Sequence, residues 1–166
     1  MFHTVTERSI GIVTIYLGGP IDGLPIIKAT AWRNYLTGKL EQLAPGRVAT
    51  HAFRVLDPLR GFLLPEALGT DIIAVGATTT PLVNSCNVVG RALQDINKAD
   101  ILIFHAPEGH VFGPGSNFEF GYACAQKKTC LVVGDWASLP LFMKELCAYC
   151  VPNLGQVIPL IQTLIA

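Results

Sequence analysis

One carboxylate stands out by its setting. Glu119 lies in the run Gly113-Pro114-Gly115-Ser116-Asn117-Phe118-Glu119-Phe120-Gly121-Tyr122-Ala123, a glycine-rich turn that becomes a helix. Two readings of it stand side by side. Ser116-x-x-Glu119 matches a capping box, with the Glu119 carboxylate reaching back to the Ser116 N–H. A carboxylate near a helix N-terminus is also held ionised by the helix dipole. Fixed in a crevice, it can attack an electrophilic carbon. Gly113 and Gly115 would let a substrate come close to the backbone.

A second turn of unusual composition, Tyr16-Leu17-Gly18-Gly19-Pro20-Ile21-Asp22, closes an apolar run. Neither turn is a phosphate-loop or dinucleotide fingerprint. Gly113-x-Gly115 has no third glycine at the required spacing, and no Gly-Lys-Ser/Thr occurs in the chain. Cys147-x-x-Cys150 is read as closing a helix, where a redox pair would open one after a strand, and it lacks further zinc ligands nearby. The five cysteines are therefore read as buried, structural side chains. The histidines at 3, 51, 105 and 110 show no ligand spacing. His105 and His110 are expected as polar contacts lining the crevice. No metal site is expected.

The elements that must carry these turns follow from periodicity. Ile10 to Leu17 is a β-branched run of the kind buried on both faces of a sheet. Ala29 to Leu43 sets Trp32, Leu36, Leu40 and Leu43 on one helical face, closed by Pro45-Gly46. Val48 to Leu56 reads as a second, more exposed strand. Residues 58–85 read as a long connection with a short helix near 65–68. Asn87 to Lys98 is helical, with Val88, Val89, Leu93 and Ile96 on one side and an Arg91–Asp95 pair on the surface. Then come a strand from Asp100 to Phe104 or His105, a helix from Ser116 to Lys127 and a strand from Thr129 to Val133. A helix from Leu139 to Cys150, an edge strand at Val157-Ile158 and an apolar terminal segment from Leu160 complete the chain.

This alternation predicts a single α/β domain over residues 1–166. The expected architecture is a flavodoxin-like doubly wound parallel sheet of about five strands, with helices on both faces. Right-handed crossovers place the first strand at the centre and beside the third, at the switch point. The turns at Tyr16 to Asp22 and His105 to Glu119 then meet in one crevice.

Composition narrows the function classes. The chain has 166 residues, 51% apolar and only 14% charged, with zero formal net charge. That is the composition of a well-buried globular domain. Lys and Arg are scattered, so no nucleic-acid polymer is expected as partner. No apolar stretch is long enough for a membrane span, and the odd cysteine count does not read as a disulfide framework. Together these lead us to expect a cytoplasmic protein.

Several pieces fall in an order that resembles the nucleoside 2-deoxyribosyltransferase-like family. They are Tyr16 to Asp22, Trp32-Arg33, Leu56-Asp57-Pro58-Leu59-Arg60-Gly61, Asp95-Ile96-x-x-Ala99-Asp100 and Gly115-Ser116-x-x-Glu119-x-Gly121-x-Ala123. The resemblance spans about residues 10 to 135. It implies an enzyme that cleaves an N-glycosidic bond, with Glu119 as nucleophile on the anomeric carbon and Tyr16 positioning that carboxylate. The sugar then passes from a covalent glycosyl-Glu119 intermediate to a second base. Substrate contacts are expected at Gly18, Gly19, Pro20, Ile21, Asp22, Trp32, Asp57, Arg60, Asp95, Gly113, Gly115, Ser116 and Asn117. A nucleoside or nucleotide and a free nucleobase are the implied partners, and no cofactor is implied. Relatives commonly self-associate, so a homo-oligomer is expected. Close alternatives are an N-glycosidase of nucleosides or their 5′-monophosphates, in which Arg60 or Ser116 would meet the phosphate, and a nucleotide sensor without catalysis. Many members carry acids where Gly113 and Ala92 stand here. The general acid is thereby left among Asp22, Asp57, Asp95 and Glu108.

Overall fold

The computed structural model describes residues 11–43, 51–60 and 85–165. The short helix expected near 65–68, most of the long connection and the start of the second strand lie outside the described residues. Five strands form one sheet: β1 (Gly11–Gly18), β2 (His51–Leu56), β3 (Ile101–His105), β4 (Thr129–Val133) and β5 (Tyr149–Val151). Their order is β2-β1-β3-β4-β5 and every pairing is parallel. This is the flavodoxin-like order, with β1 beside β3 at the switch point. β1 is an interior strand, but β3 rather than β1 occupies the centre.

The helices are α1 (Ile26–Gln42), α2 (Ser85–Lys98), α3 (Pro114–Ala125), α4 (Leu141–Leu146) and α5 (Val157–Ile165). Alternation along the strands splits the core in two. Ile15, Leu17, Ile101, Ile103, Leu131 and Val133 pack with Trp32, Leu36 and Leu40 of α1 and with Val157 and Ile161 of α5. Tyr16, Leu102, Phe104, Cys130 and Val132 face the other way, toward Ile96 of α2, Phe120 and Ala123 of α3 and Met143 of α4. This alternation directs Tyr16 to the face that carries α3. Asp100 pegs the register between β1 and β3: its carboxylate accepts the Thr14 N–H at 2.8 Å and its own N–H donates to Thr14 O at 2.8 Å.

The C-terminal third differs from the sequence expectation. The helix expected over Leu139 to Cys150 ends at Leu146, and Tyr149–Val151 is the edge strand instead. Leu139, Met143 and Cys147 recur at helical spacing, yet Cys147 turns extended (ψ 139). The backbone beyond it pairs with Leu131 to Val133. Val157-Ile158 is not a strand but the start of α5, where Val157 and Ile161, one turn apart, are both buried. Pro159 is tolerated because it falls in the first turn. α5 is the apolar terminal segment that had to pack somewhere, and it packs beside α1. Trp136, Leu141, Phe142, Leu146 and Tyr149 remain exposed around α4 and β5. Among the described residues, no helix is long and apolar enough to cross a membrane.

Candidate active site

The end of β1 is built for close approach. A Cβ on Gly18 would lie 2.4 Å from the Phe104 ring, and one on Gly19 would lie 2.2 Å from the His105 carbonyl oxygen. Gly19 also adopts φ +154, which disfavours any side chain. The Gly18-Gly19 pair is thus required by packing against the end of β3, independently of any ligand. It turns Pro20, Ile21 and Asp22 across the mouth of the sheet.

The opposite wall is α3. Its N-cap is Gly113 in extended conformation, Pro114 opens the helix, and no side chain caps it. Proline at that place is pre-set for a helix start and lacks an N–H that would go unused. The helix therefore begins two residues earlier than expected, and Ser116 falls inside its first turn. The capping-box reading of Ser116 and Glu119 is overturned, because Glu119 sits in the second turn, beyond the unpaired N–H groups that a cap serves. Released from that task, Glu119 lines a cleft of about 540 Å³ with Gly19, Pro20, Ile21, Asp22, Gly113 and Ser116.

Glu119 meets Tyr16 at the base of this cleft. The Tyr16 side chain is fully buried. Its ionisation is pushed well up by burial, then by the Glu119 charge and a Tyr16–Glu119 hydrogen-bonding interaction, with Arg33 opposing. The Glu119 carboxyl is in turn pushed up to about 7 by burial, which outweighs the lowering by the Tyr16 hydroxyl and the Arg33 charge. The hydroxyl makes no hydrogen bond of regular geometry, so the two groups are neighbours without full alignment. Such contacts in ligand-free sites commonly tighten when substrate binds.

The expected substrate contacts divide into two groups. Gly19, Pro20, Ile21, Asp22, Gly113, Gly115, Ser116 and Glu119 share the cleft. Gly18 lies beneath the Phe104 ring and does not line it. Trp32 belongs to the opposite core, edge-on to His105 at 5.2 Å. Asp57 accepts the Leu59 N–H at 2.8 Å and pairs with Arg33. Arg60 pairs with Asp95, which is buried rather than on the surface, and donates to Asp57 O at 2.9 Å. Asn117 donates to Phe112 O at 3.3 Å and is exposed. Gly18, Trp32, Asp57, Arg60, Asp95 and Asn117 are thus not part of the described lining.

Sequence reasoning missed the apolar wall of Val89, Ala92, Leu93, Pro114 and Phe118. Val89 and Leu93 carried a signal, since their spacing sets them on one side of α2, but spacing does not show which part of that side borders a cleft. His105 and His110 do not line this cleft. With Glu108, Asp135 and Ser138 they line a separate crevice of about 590 Å³ beyond the 106–112 loop. Cys124 and Cys130 are free thiols with sulfurs 4.0 Å apart, and Cys147 follows α4 while Cys150 lies in β5. Among the described residues, no group of three or more His, Cys, Asp or Glu is arranged to hold a metal ion.

No protein-family model and no curated protein matches the chain. Among solved structures, a conserved protein from Enterococcus faecalis aligns with a TM-score of 0.61 and 14% identity, covering 92% of this chain and 99% of that one. The molybdenum cofactor binding protein of the phototrophic bacterium Rippkaea orientalis aligns at 0.56 with 13% identity, covering 95% and 98%. A CMP N-glycosidase of Clostridium botulinum aligns at 0.46 with 12% identity, covering 90% and 98%. At these identities the chain shares with the first two a fold, the doubly wound parallel sheet described above.

Proposed function

We propose that the protein is an N-glycosidic-bond enzyme acting on nucleosides, with Glu119 as nucleophile. The observation that carries this reading is the placement of Glu119: it is not a helix cap, it borders an open cleft, and a buried tyrosine stands behind it. A carboxylate oxygen of Glu119 attacks the anomeric carbon as the carbon–nitrogen bond breaks, and the electron pair leaves with the base. Asp22, the other carboxyl of the cleft, protonates the departing base. A second base then attacks the glycosyl ester through nitrogen and gives its N–H proton to Asp22, which releases Glu119 as the carboxylate, forms the new nucleoside and restores the acid. The apolar wall of Val89, Leu93 and Phe118 suits a planar base.

Incubation with a deoxynucleoside and a second base, followed by chromatography, tests the proposal. Exchange of bases is expected. Free base and free sugar alone would make the protein a hydrolase. Binding without either product would make it a sensor.

Tyr16→Phe tests the positioning role. One hydrogen bond to a charged group contributes about 1.5–3 kcal/mol, so kcat is expected to fall roughly 10- to 100-fold. Stability should change by less than ~1 kcal/mol, because the hydroxyl makes no regular hydrogen bond in the free protein. Steady-state kinetics and a urea titration read the two effects separately.

Charge favours an unphosphorylated substrate. Glu119 and Asp22 are the ionisable residues among the described lining, and both are acidic. Arg60, the expected phosphate contact, is spent on Asp95. At an effective dielectric of about 20, a phosphate charge ~8 Å from a carboxylate costs about 2 kcal/mol. The N-terminus of α3 returns only ~0.3–1 kcal/mol. The kcat/KM for a nucleoside 5′-monophosphate is therefore expected to be roughly 5- to 20-fold below that of the nucleoside.

A further inference from the structure

We propose that Arg33 is a positioning residue for this reaction: its guanidinium fixes the Gly19 turn and supplies the positive charge that Glu119 and Tyr16 share. The inference rests on the reading of Glu119 as nucleophile. Arg33 is the largest fully buried side chain of the described residues, at 0% exposure. Burying an arginine costs several kcal/mol unless its charge is met. Here it is met unevenly. One terminal nitrogen donates to Ala29 O, on its own helix, and the other to Gly19 O at 3.3 Å. The guanidinium lies 4.4 Å from the centre of the Trp32 ring.

Its ion pair is long. Arg33 Nε stands 3.4 Å from Asp57 Oδ1 and makes no well-aligned hydrogen bond, and the same Asp57 oxygen already accepts the Leu59 N–H. Asp57 is thus an incomplete counterion. The guanidinium charge, which Asp57 does not fully neutralise, also acts on the groups across the end of β1. Burial lowers Arg33 to about 10, which keeps it charged at neutral pH. The same charge lowers both Glu119 and Tyr16. A residue needed only to fill space between α1, β1 and β2 could be apolar at no loss. The hydrogen bond to Gly19 O adds a geometric task, because Gly19 begins the turn that forms one wall of the cleft.

Tyr16 from β1 and Arg33 from α1 act on Glu119 directly, Asp22 shares its cleft, Asp95 from α2 acts on Tyr16, and Asp57 after β2 acts through Arg33. Two substitutions among them act with opposite sign. Arg33→Met removes the cation, so the ionisation midpoint of Glu119 is expected to rise by about one pH unit. Asp57→Asn removes the competing anion, so the midpoint is expected to fall, by about half a unit. Arg33→Lys keeps the charge and should restore most of the midpoint while leaving kcat below the parent, since Lys cannot hold Gly19 O and Asp57 together.

The midpoint is read without turnover, from the 13C carboxyl signal of Glu119, assigned by its absence in Glu119→Gln. It is then compared with the acid limb of the kcat/KM profile. The two shifts in the stated directions support the proposal. An unchanged midpoint in Asp57→Asn, or a Lys variant that titrates like the Met variant, overturns it. Asp57→Asn keeps the test decisive if Arg33→Met fails to fold. Because the carboxyl signal needs no substrate, a protein without glycosidic activity would sink the functional reading and leave this titration standing as a separate result.

Discussion

Glu119→Gln is expected to lower turnover by roughly 10³- to 10⁶-fold, the range for removing a covalent nucleophile. The substitution keeps the side-chain shape and its place beside Tyr16 but cannot form a stable glycosyl ester. KM should change little, because the walls that hold the base and sugar are untouched. A loss smaller than about tenfold would reduce Glu119 to a positioning group. In the parent enzyme, activity should fall on the acid side with a midpoint near 7, since the Glu119 carboxyl is pushed up to about 7 and attacks only when ionised.

The same substitution is expected to stabilise the fold. An unfolded glutamate titrates near ~4.3, whereas burial raises Glu119 to about 7 in the folded protein. The folded-state proton therefore contributes stability that is fully present below the unfolded value and is lost as pH rises through about 7. At pH 8 the parent holds an incompletely solvated carboxylate, and Glu119→Gln removes that cost. Glu119 keeps partial contact with solvent. We therefore expect a discounted gain of about 1–2 kcal/mol, or ~2–8 °C in Tm. The gain should vanish below pH ~4, where both states of the parent are protonated. Thermal unfolding at pH 8 and pH 4 checks the sign. A variant less stable than the parent at pH 8 would mean that the carboxylate is paired in the fold rather than strained for reaction.

Much of the fold was legible because strong periodicity leaves few choices. The run through Ile15 to Leu17 could only be a strand buried on both faces, and the right-handed crossover rule then put β1 beside β3. Leu139 to Cys150 failed for an equally physical reason. Leu139, Met143 and Cys147 repeat like a helix, but backbone pairing of Tyr149 to Val151 with β4 outweighs that local pattern. At the site, the convergence of Gly19 to Asp22 with Gly113 to Glu119 was readable from topology. The choice between cap and catalyst was not, because it turned on where α3 begins. Pro114 was the overlooked signal, since it fits a first helical position better than a loop. Arg33 stands in the Trp32-Arg33 piece of the resemblance, but the direction of its side chain is visible only in the packing, which turns it inward over Trp32. Asp57, Arg60 and Asp95, expected as ligand contacts, pair in the free protein with one another and with Arg33, which their sequence spacing does not reveal.

A nucleophilic Glu119 must form a covalent bond to the sugar during turnover. The protein should be quenched in acid during turnover of a deoxynucleoside without acceptor base, then digested and examined by mass spectrometry. One deoxyribosyl group is expected on the peptide containing Glu119, gained with loss of the base, absent in Glu119→Gln and discharged when a second base is added before the quench. Demonstrated turnover with no adduct, or an adduct that maps to another residue, would contradict a nucleophilic Glu119.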